Sequence, residues 1–287
     1  MNGNQSVYQG RRARTIASRH GLKLPKWSSM VVVFMALSLL SLYLAAPAGA
    51  LGSSTFVGTD GTLDAGAAGL IAKDDEASGS GDDSFAEGVH EDTAVPPIET
   101  GGVPAKADLK TFHMAIEKAG GQDYLYLSWE RVPDQGGATD MDFEFNQSAT
   151  ISANGVTPVR TVNDLLITYA IANGGSTVEM AYRLWDGSDW GSENLLGSFA
   201  EGSFNTAENG DHFFGEAVIN LTSSGLFPTG QCVNFGSAYL KSRSSHSFES
   251  KMKDFISPAP IFISNCGKVV IHKDTVPNAD PDFSFTT

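Results

Sequence analysis

The sequence predicts an all-β protein: an antiparallel β-sandwich of jelly-roll type carrying one short helix. Three observations lead there. Between Asp108 and Cys266 the chain offers about eight short apolar runs, several with period-two alternation, divided by Gly, Asn and Asp turns. Glycine is 31 of 287 residues, and charged residues are only 18%. That glycine share is about 11% against a usual ~7%, a composition of turn-rich extracellular chains rather than helical enzymes.

The elements follow in order. Phe56–Leu63 (FVGTDGTL) reads as one edge strand. Phe112, Met114 and Ile116 alternate with polar or small neighbours, and Gly120-Gly121-Gln122-Asp123 turns the chain. Tyr124–Trp129 follows with two apolar faces, which marks a central strand. Met141, Phe143 and Phe145 alternate with Asp140, Asp142 and Glu144 in a half-buried strand. Asn154-Gly155 is a turn, and Leu165–Ile171 with Val178–Trp185 forms a hairpin around Asn173-Gly174-Gly175. Phe213–Leu221, Val233–Leu240 and Pro258–Ile263 complete the set. The helix is placed from Ser247, its cap, with Phe248, Met252 and Phe255 on one side and Pro258 as its stop. Residues 107–266 are long enough for one sizeable core.

Charge divides the chain into regions of different purpose. Six basic residues and no acid lie in 1–29, whereas all 33 acids lie beyond residue 50. Met30–Ala50 is uncharged, mostly apolar, and ends in Ala48-Gly49-Ala50. Basic segment, apolar run and small-residue site make residues 1–50 a secretory signal peptide cut before Leu51. The alternative is an uncleaved membrane anchor over residues 30–50. Residues 51–106 form an acidic, Gly/Ser-rich lead-in, expected to be mostly disordered because 51–100 hold 11 acids and one lysine. The run Asp74–Asp83 lacks the alternation and closing Glu of an EF-hand loop, so it predicts no calcium loop of that kind. Such an acidic chain has no footprint for nucleic acid.

Cys232 and Cys266 are the only cysteines, and in an exported chain they are expected to pair. No Cys-x-x-Cys or His-x-x-x-His spacing exists for zinc. Catalytic patterns are equally sparse. There is no Gly-x-Ser-x-Gly elbow and no His-Glu-x-x-His, and Ser250-Lys251-Met252-Lys253 fits Ser-x-x-Lys without a following Lys-Thr-Gly. Two constellations remain. Asp140, Asp142 and Glu144 share one face of a strand, ~6–7 Å apart, which is either a solvated outer face or a surface for calcium or sugar. Tyr182, Trp185 and Trp190 flank the Asp186–Asp189 turn, either as core or as a rim on which sugar rings stack. The sequons Asn146-Gln147-Ser148 and Asn220-Leu221-Thr222 bear on glycosylation only in a eukaryotic secretory route.

Several segments carry a family resemblance. Asp83-Ser84-Phe85, Glu91-Asp92-Thr93, Val95-Pro96, Tyr124–Arg131, Asp142–Gln147, Gly215–Thr222 and Phe235–Ser245 together resemble the N-terminal exported domain of large actinobacterial (Gram-positive) surface proteins. Such domains precede prealbumin-like, collagen-adhesin B-type (pilin-like) repeats. Gly267–Lys273 and Phe283–Thr287 look like the start of one, making 267–287 a truncated repeat. The resemblance implies that a lysine at the place of Lys273 forms an isopeptide bond with a last-strand Asn, a partner this chain lacks.

The expectation is an exported, non-enzymatic structural or adhesive module, secreted or held at the cell surface or wall. Its partners would be an extracellular glycan or a host or surface protein, with membrane contact only through an uncleaved N-terminal segment. No cofactor is expected apart from calcium at the Asp140–Glu144 row. The alternative is a carbohydrate-binding module, calcium-assisted or not, and after it a glycan-processing enzyme.

Overall fold

The structure is a computed structural model and describes residues 51–75, 79–132, 140–172, 177–205 and 212–267. The signal-peptide or anchor segment, the incomplete repeat and Lys273 lie outside the described residues. Two antiparallel sheets form a β-sandwich. The first contains β1 (Ile71–Asp74), β4 (Leu109–Ala119), β5 (Gln122–Arg131), β10 (Ala200–Phe204) and β11 (Phe214–Asn220), in the order β1-β4-β5-β11-β10. The second contains β2 (Asp83–Phe85), β3 (Ile98–Thr100), β6 (Asp140–Asn146), β7 (Leu165–Ala172), β8 (Thr177–Leu184), β9 (Asn194–Leu195), β12 (Asn234–Arg243) and β13 (Met252–Ser264). Its order is β3-β2-β13-β12-β6-β7-β8-β9.

Alternation decides what lies between the sheets. Phe112 and Met114 on β4 and Leu125, Leu127 and Trp129 on β5 face Phe143 on β6 and Ile167 and Tyr169 on β7 in one apolar cluster. Phe112 meets Phe143 edge-on at 6.5 Å, and Trp129 meets Tyr169 at 5.7 Å. Edge-to-face contact of this kind adds to the gain from burial. Gly215 on β11 is required by the same layer, since a Cβ there would come within 2.5 Å of the Trp129 ring. β5 is central, as its two apolar faces predict: Tyr124 and Tyr126 point out of the sandwich, yet remain buried.

What buries them is the acidic lead-in, which corrects the expectation of disorder over its described part. Phe56 packs on Tyr126 at 5.5 Å, and Leu63 and Leu70 join Tyr124 and Val218 in a cluster on the outer face of the first sheet. Phe85, Val89 and Ile98 do the same on the second sheet against Tyr239, Met252 and Phe255. The segment holds few apolar residues, but Phe56, Phe85 and Val89 each join outward-facing large side chains, and this offsets the ordering entropy. Phe56–Leu63 covers the sheet without forming the predicted edge strand.

The predicted helix is also replaced. Ser247 precedes a turn, and Met252 and Phe255 lie on β13. Three register shifts along β12–β13 each give β13 an extra residue, so Arg243 pairs with Met252 and Lys241 with Phe255. These β-bulges put Met252 and Phe255, three apart, on one side of a strand, imitating helical spacing. Among the described residues the only helices are short 3-10 turns, and none is long and apolar enough to cross a membrane.

Candidate functional site

The row Asp140, Asp142, Glu144 does point outward from β6, but it is not solvated. All three are buried, and Asp142 and Glu144 are fully inaccessible. The antiparallel register with β12 explains why. Tyr239 lies opposite Glu144, Lys241 opposite Asp142 and Arg243 opposite Asp140, so a row of acids meets an aromatic and two bases. Lys241 Nζ donates to Glu144 Oε2 at 2.7 Å and to Glu91 Oε2, the acid brought over the sheet by the lead-in. Arg243 donates through Nε and Nη2 to the two oxygens of Asp142.

Arg160 closes the assembly from the loop before β7. Its Nε and Nη2 form a fork on Glu144 at 2.9 and 2.8 Å, and its Nη1 donates to the carbonyls of Glu91 and Thr93. Glu144 also accepts from Tyr239 Oη and Asn146 Nδ2, each at 2.8 Å. Burial on its own would raise the Glu144 carboxyl. Arg160 and Lys241 outweigh that and hold it far below the ordinary carboxylate range. Glu91 goes the other way, pushed up to about 7 by burial despite Lys241, with Asp142 adding to the rise.

The aromatic residues take a structural place in the same assembly. Trp185 and Trp190 form an antiparallel bridge, contact each other edge-on at 5.3 Å, and are only 2% and 4% exposed. The Arg160 guanidinium sits 4.9 Å from each ring centre, so the indole faces are used by an internal cation. Trp190 Nε1 donates to the Glu91 carbonyl at 3.0 Å. Tyr182 is half-buried against the main core. The three therefore do not make an open sugar-stacking rim, and the Asp140–Glu144 row is not a free calcium surface: Asp142 and Glu144 are met by Arg243, Lys241 and Arg160, and buried Asp140 faces His246 at 3.5 Å. Asn146 and Asn220 are buried as well, which removes both sequons as accessible acceptors. Ser250 Oγ donates to the Ser245 carbonyl, and Lys253 pairs with exposed Glu87 at 3.1 Å, so the Ser-x-x-Lys pattern has no paired nucleophile and base.

The chain matches no known protein family, no curated protein and no solved structure.

Cys232 and Cys266 are bonded, as expected, with Cα atoms 4.5 Å apart. They sit just outside the Asn234–Ser264 pair and so tie the open ends of β12 and β13. Closing a loop of this length contributes ~3–4 kcal/mol in the chain-entropy account.

A second acidic assembly has no counterpart among the predicted site residues. One ligand atom from each of Asp75, Asp82, Asp108 and Asp254 can be chosen so that all lie within 4.8 Å of one another. Asp75 follows β1 and Asp108 precedes β4 in the first sheet, while Asp82 precedes β2 and Asp254 lies on β13 in the second. Backbone bonds fix the frame: Asp75 N–H donates to the Lys110 carbonyl, and Gly101 N–H to that of Asp82. Asp254 takes the Leu109 N–H on Oδ2 at 2.6 Å and the Phe255 N–H on Oδ1 at 2.8 Å. Neither oxygen of Asp82, which is fully inaccessible, has a hydrogen-bond partner, and neither does Oδ1 of buried Asp108. Sequence reasoning missed the cluster because its members span 179 positions. The available signal was an acid, Asp254, between apolar Met252 and Phe255.

Proposed function

We propose that this protein is an exported, non-enzymatic structural or adhesive module that acts outside the membrane, at a cell surface or wall. The observation that carries this reading is the fate of the reactive side chains. The carboxylates and aromatics that could serve a sugar or a reaction are instead consumed in a buried ion network that locks the second sheet to the lead-in. A disulfide between adjacent strand ends belongs with an oxidising compartment and supports the export reading of residues 1–50. The resemblance to exported domains of actinobacterial surface proteins supports the same role. Its physical task is to hold a protease-resistant unit where no chaperone maintains it.

Expression of the full chain in a Gram-positive host, followed by fractionation and thiol labelling, tests the proposal. The product is expected outside the membrane, with Cys232 and Cys266 refractory to labelling until reduced. Retention in the cytoplasm with both thiols labelled would contradict it.

A further inference from the structure

The two sheets are joined at one point by chemistry that the side chains present leave unfinished. We infer that Asp75, Asp82, Asp108 and Asp254 bind one calcium ion, which ties the first sheet to the second. The inference does not rest on the export or adhesion reading.

Four arguments lead to it. First, Asp82 is wholly buried with both carboxylate oxygens unpartnered, so whichever of them faces the cluster is unmatched, and buried Asp108 in the same cluster has one unpartnered oxygen as well. Leaving such groups unmatched costs several kcal/mol per ion even after relaxation. Second, the charges acting on Asp82 and Asp254 are negative. Asp108 and Asp83 act on Asp82, Asp82 and Asp75 act on Asp254, and no described base offsets them.

Third, the donors are all oxygen, which selects a hard cation over zinc or copper. Calcium–oxygen bonds of ~2.3–2.6 Å place opposite ligands ~4.6–5.2 Å apart, and the ~2.0–2.1 Å bonds of magnesium place them ~4.0–4.2 Å apart. The four atoms lie within 4.8 Å of one another, close enough for one ion, and calcium takes such a cage of protein carboxylates where magnesium keeps most of its waters. Fourth, each sheet contributes two donors, at the ends of β1, β4 and β2 and on β13, so the ion would act as a cross-link rather than as a surface ornament. The Leu109 and Phe255 amides orient Asp254 while leaving a lone pair on each of its oxygens.

Isothermal titration of the full chain, stripped with chelator and then dialysed, with calcium chloride or magnesium chloride near pH 7.5 tests the site. One calcium per chain is expected with Kd below about 100 μM, at the tight end of or tighter than ordinary extracellular modules. At a hundredfold excess over Kd, the melting temperature should rise by roughly 5–10 °C. Asp82→Asn should abolish the calcium response while leaving the metal-free melting temperature equal to or above that of the parent, because a repelled charge has been removed. Asp108→Asn serves as the second variant, and the titration of the parent decides by itself where a variant does not fold. Absence of calcium heat with an unchanged melting curve at 10-fold above that Kd limit would overturn the inference. So would an undiminished calcium response in Asp82→Asn, or tighter binding of magnesium than of calcium.

Discussion

Two groups of buried acids lie in this sandwich, and their difference is instructive. On the outer face of the second sheet, Glu91, Asp142 and Glu144 are surrounded by Lys241, Arg160 and Arg243, with the rings of Trp185, Trp190 and Tyr239 and the carbonyls of Glu91 and Thr93 drawn into the network. Where the sheets meet at Asp82, Asp108 and Asp254, no described base is paired with the acids. The first group carries its own counterions on a neighbouring strand, and such a group is closed to ligands. The second has no base paired with Asp82, Asp108 or Asp254 among the described residues, so their neutrality has to come from protons or from an ion out of solution. A count of acids on a strand face does not separate these cases; what lies on the partner strand does.

Breaking the first group should have the largest effect. Lys241→Met leaves Glu91 and Glu144 buried without their shared ammonium, and is expected to lower unfolding stability by ~3–5 kcal/mol in chemical denaturation. Adding Glu91→Gln to that variant should restore part of the loss, because the acid it neutralises has just lost its main partner.

A single buried acid on the first sheet should have an effect of intermediate size. Glu216 accepts from the Gly61 N–H at 2.7 Å and from Ser203 and Tyr126 hydroxyls at 3.1 Å, with Asp60 as its charged neighbour. Burial, with Asp60 adding to it, pushes it up to about 7. A carboxyl raised on folding stabilises fully below its unfolded value near 4.5, and that contribution is lost as pH rises through about 7. Stability contributed by Glu216 should therefore decline across that window, and Glu216→Gln should flatten this part of the profile. An identical profile in the two proteins would remove Glu216 as the cause. The smallest effect belongs to Glu87, which is exposed and bonded to Lys251 and Lys253. Glu87→Gln should leave the denaturation midpoint unchanged within error, since water and salt screen such pairs.

Much of the sandwich was legible in residue alternation. The runs at 112–116, 124–129, 141–145 and 165–171 fall within strands β4 to β7, and 178–185 matches β8 except for Trp185, because each has one or two faces buried in a regular ladder. The second half of β13 was legible as the run Pro258–Ile263, but its first half reads as a helix, since bulges there replace period two with a spacing of three. The lead-in was misread for a different reason. Its composition is that of a solvated chain, yet Phe56, Phe85 and Val89 are placed where outward-facing tyrosines and phenylalanines await cover, which is information held by other strands. The candidate sites divide similarly. Asp140, Asp142 and Glu144 were visible as a row, but their neutralisation depended on the β6–β12 register that pairs them with Tyr239, Lys241 and Arg243. Arg160 and the four-aspartate cluster are tertiary juxtapositions without a local pattern, and only the disulfide followed directly from counting.

The central claim is that one buried acidic group is internally compensated and the other is not. Making the same change, carboxylate to amide, in each group tests this most directly: Glu144→Gln and Asp82→Asn, with unfolding free energies measured in chelator at neutral pH. Glu144→Gln should be clearly less stable than the parent, because Arg160 and Lys241 lose the charge that holds them. Asp82→Asn should be as stable as the parent or more so. Losses of similar size in the two variants would contradict the account.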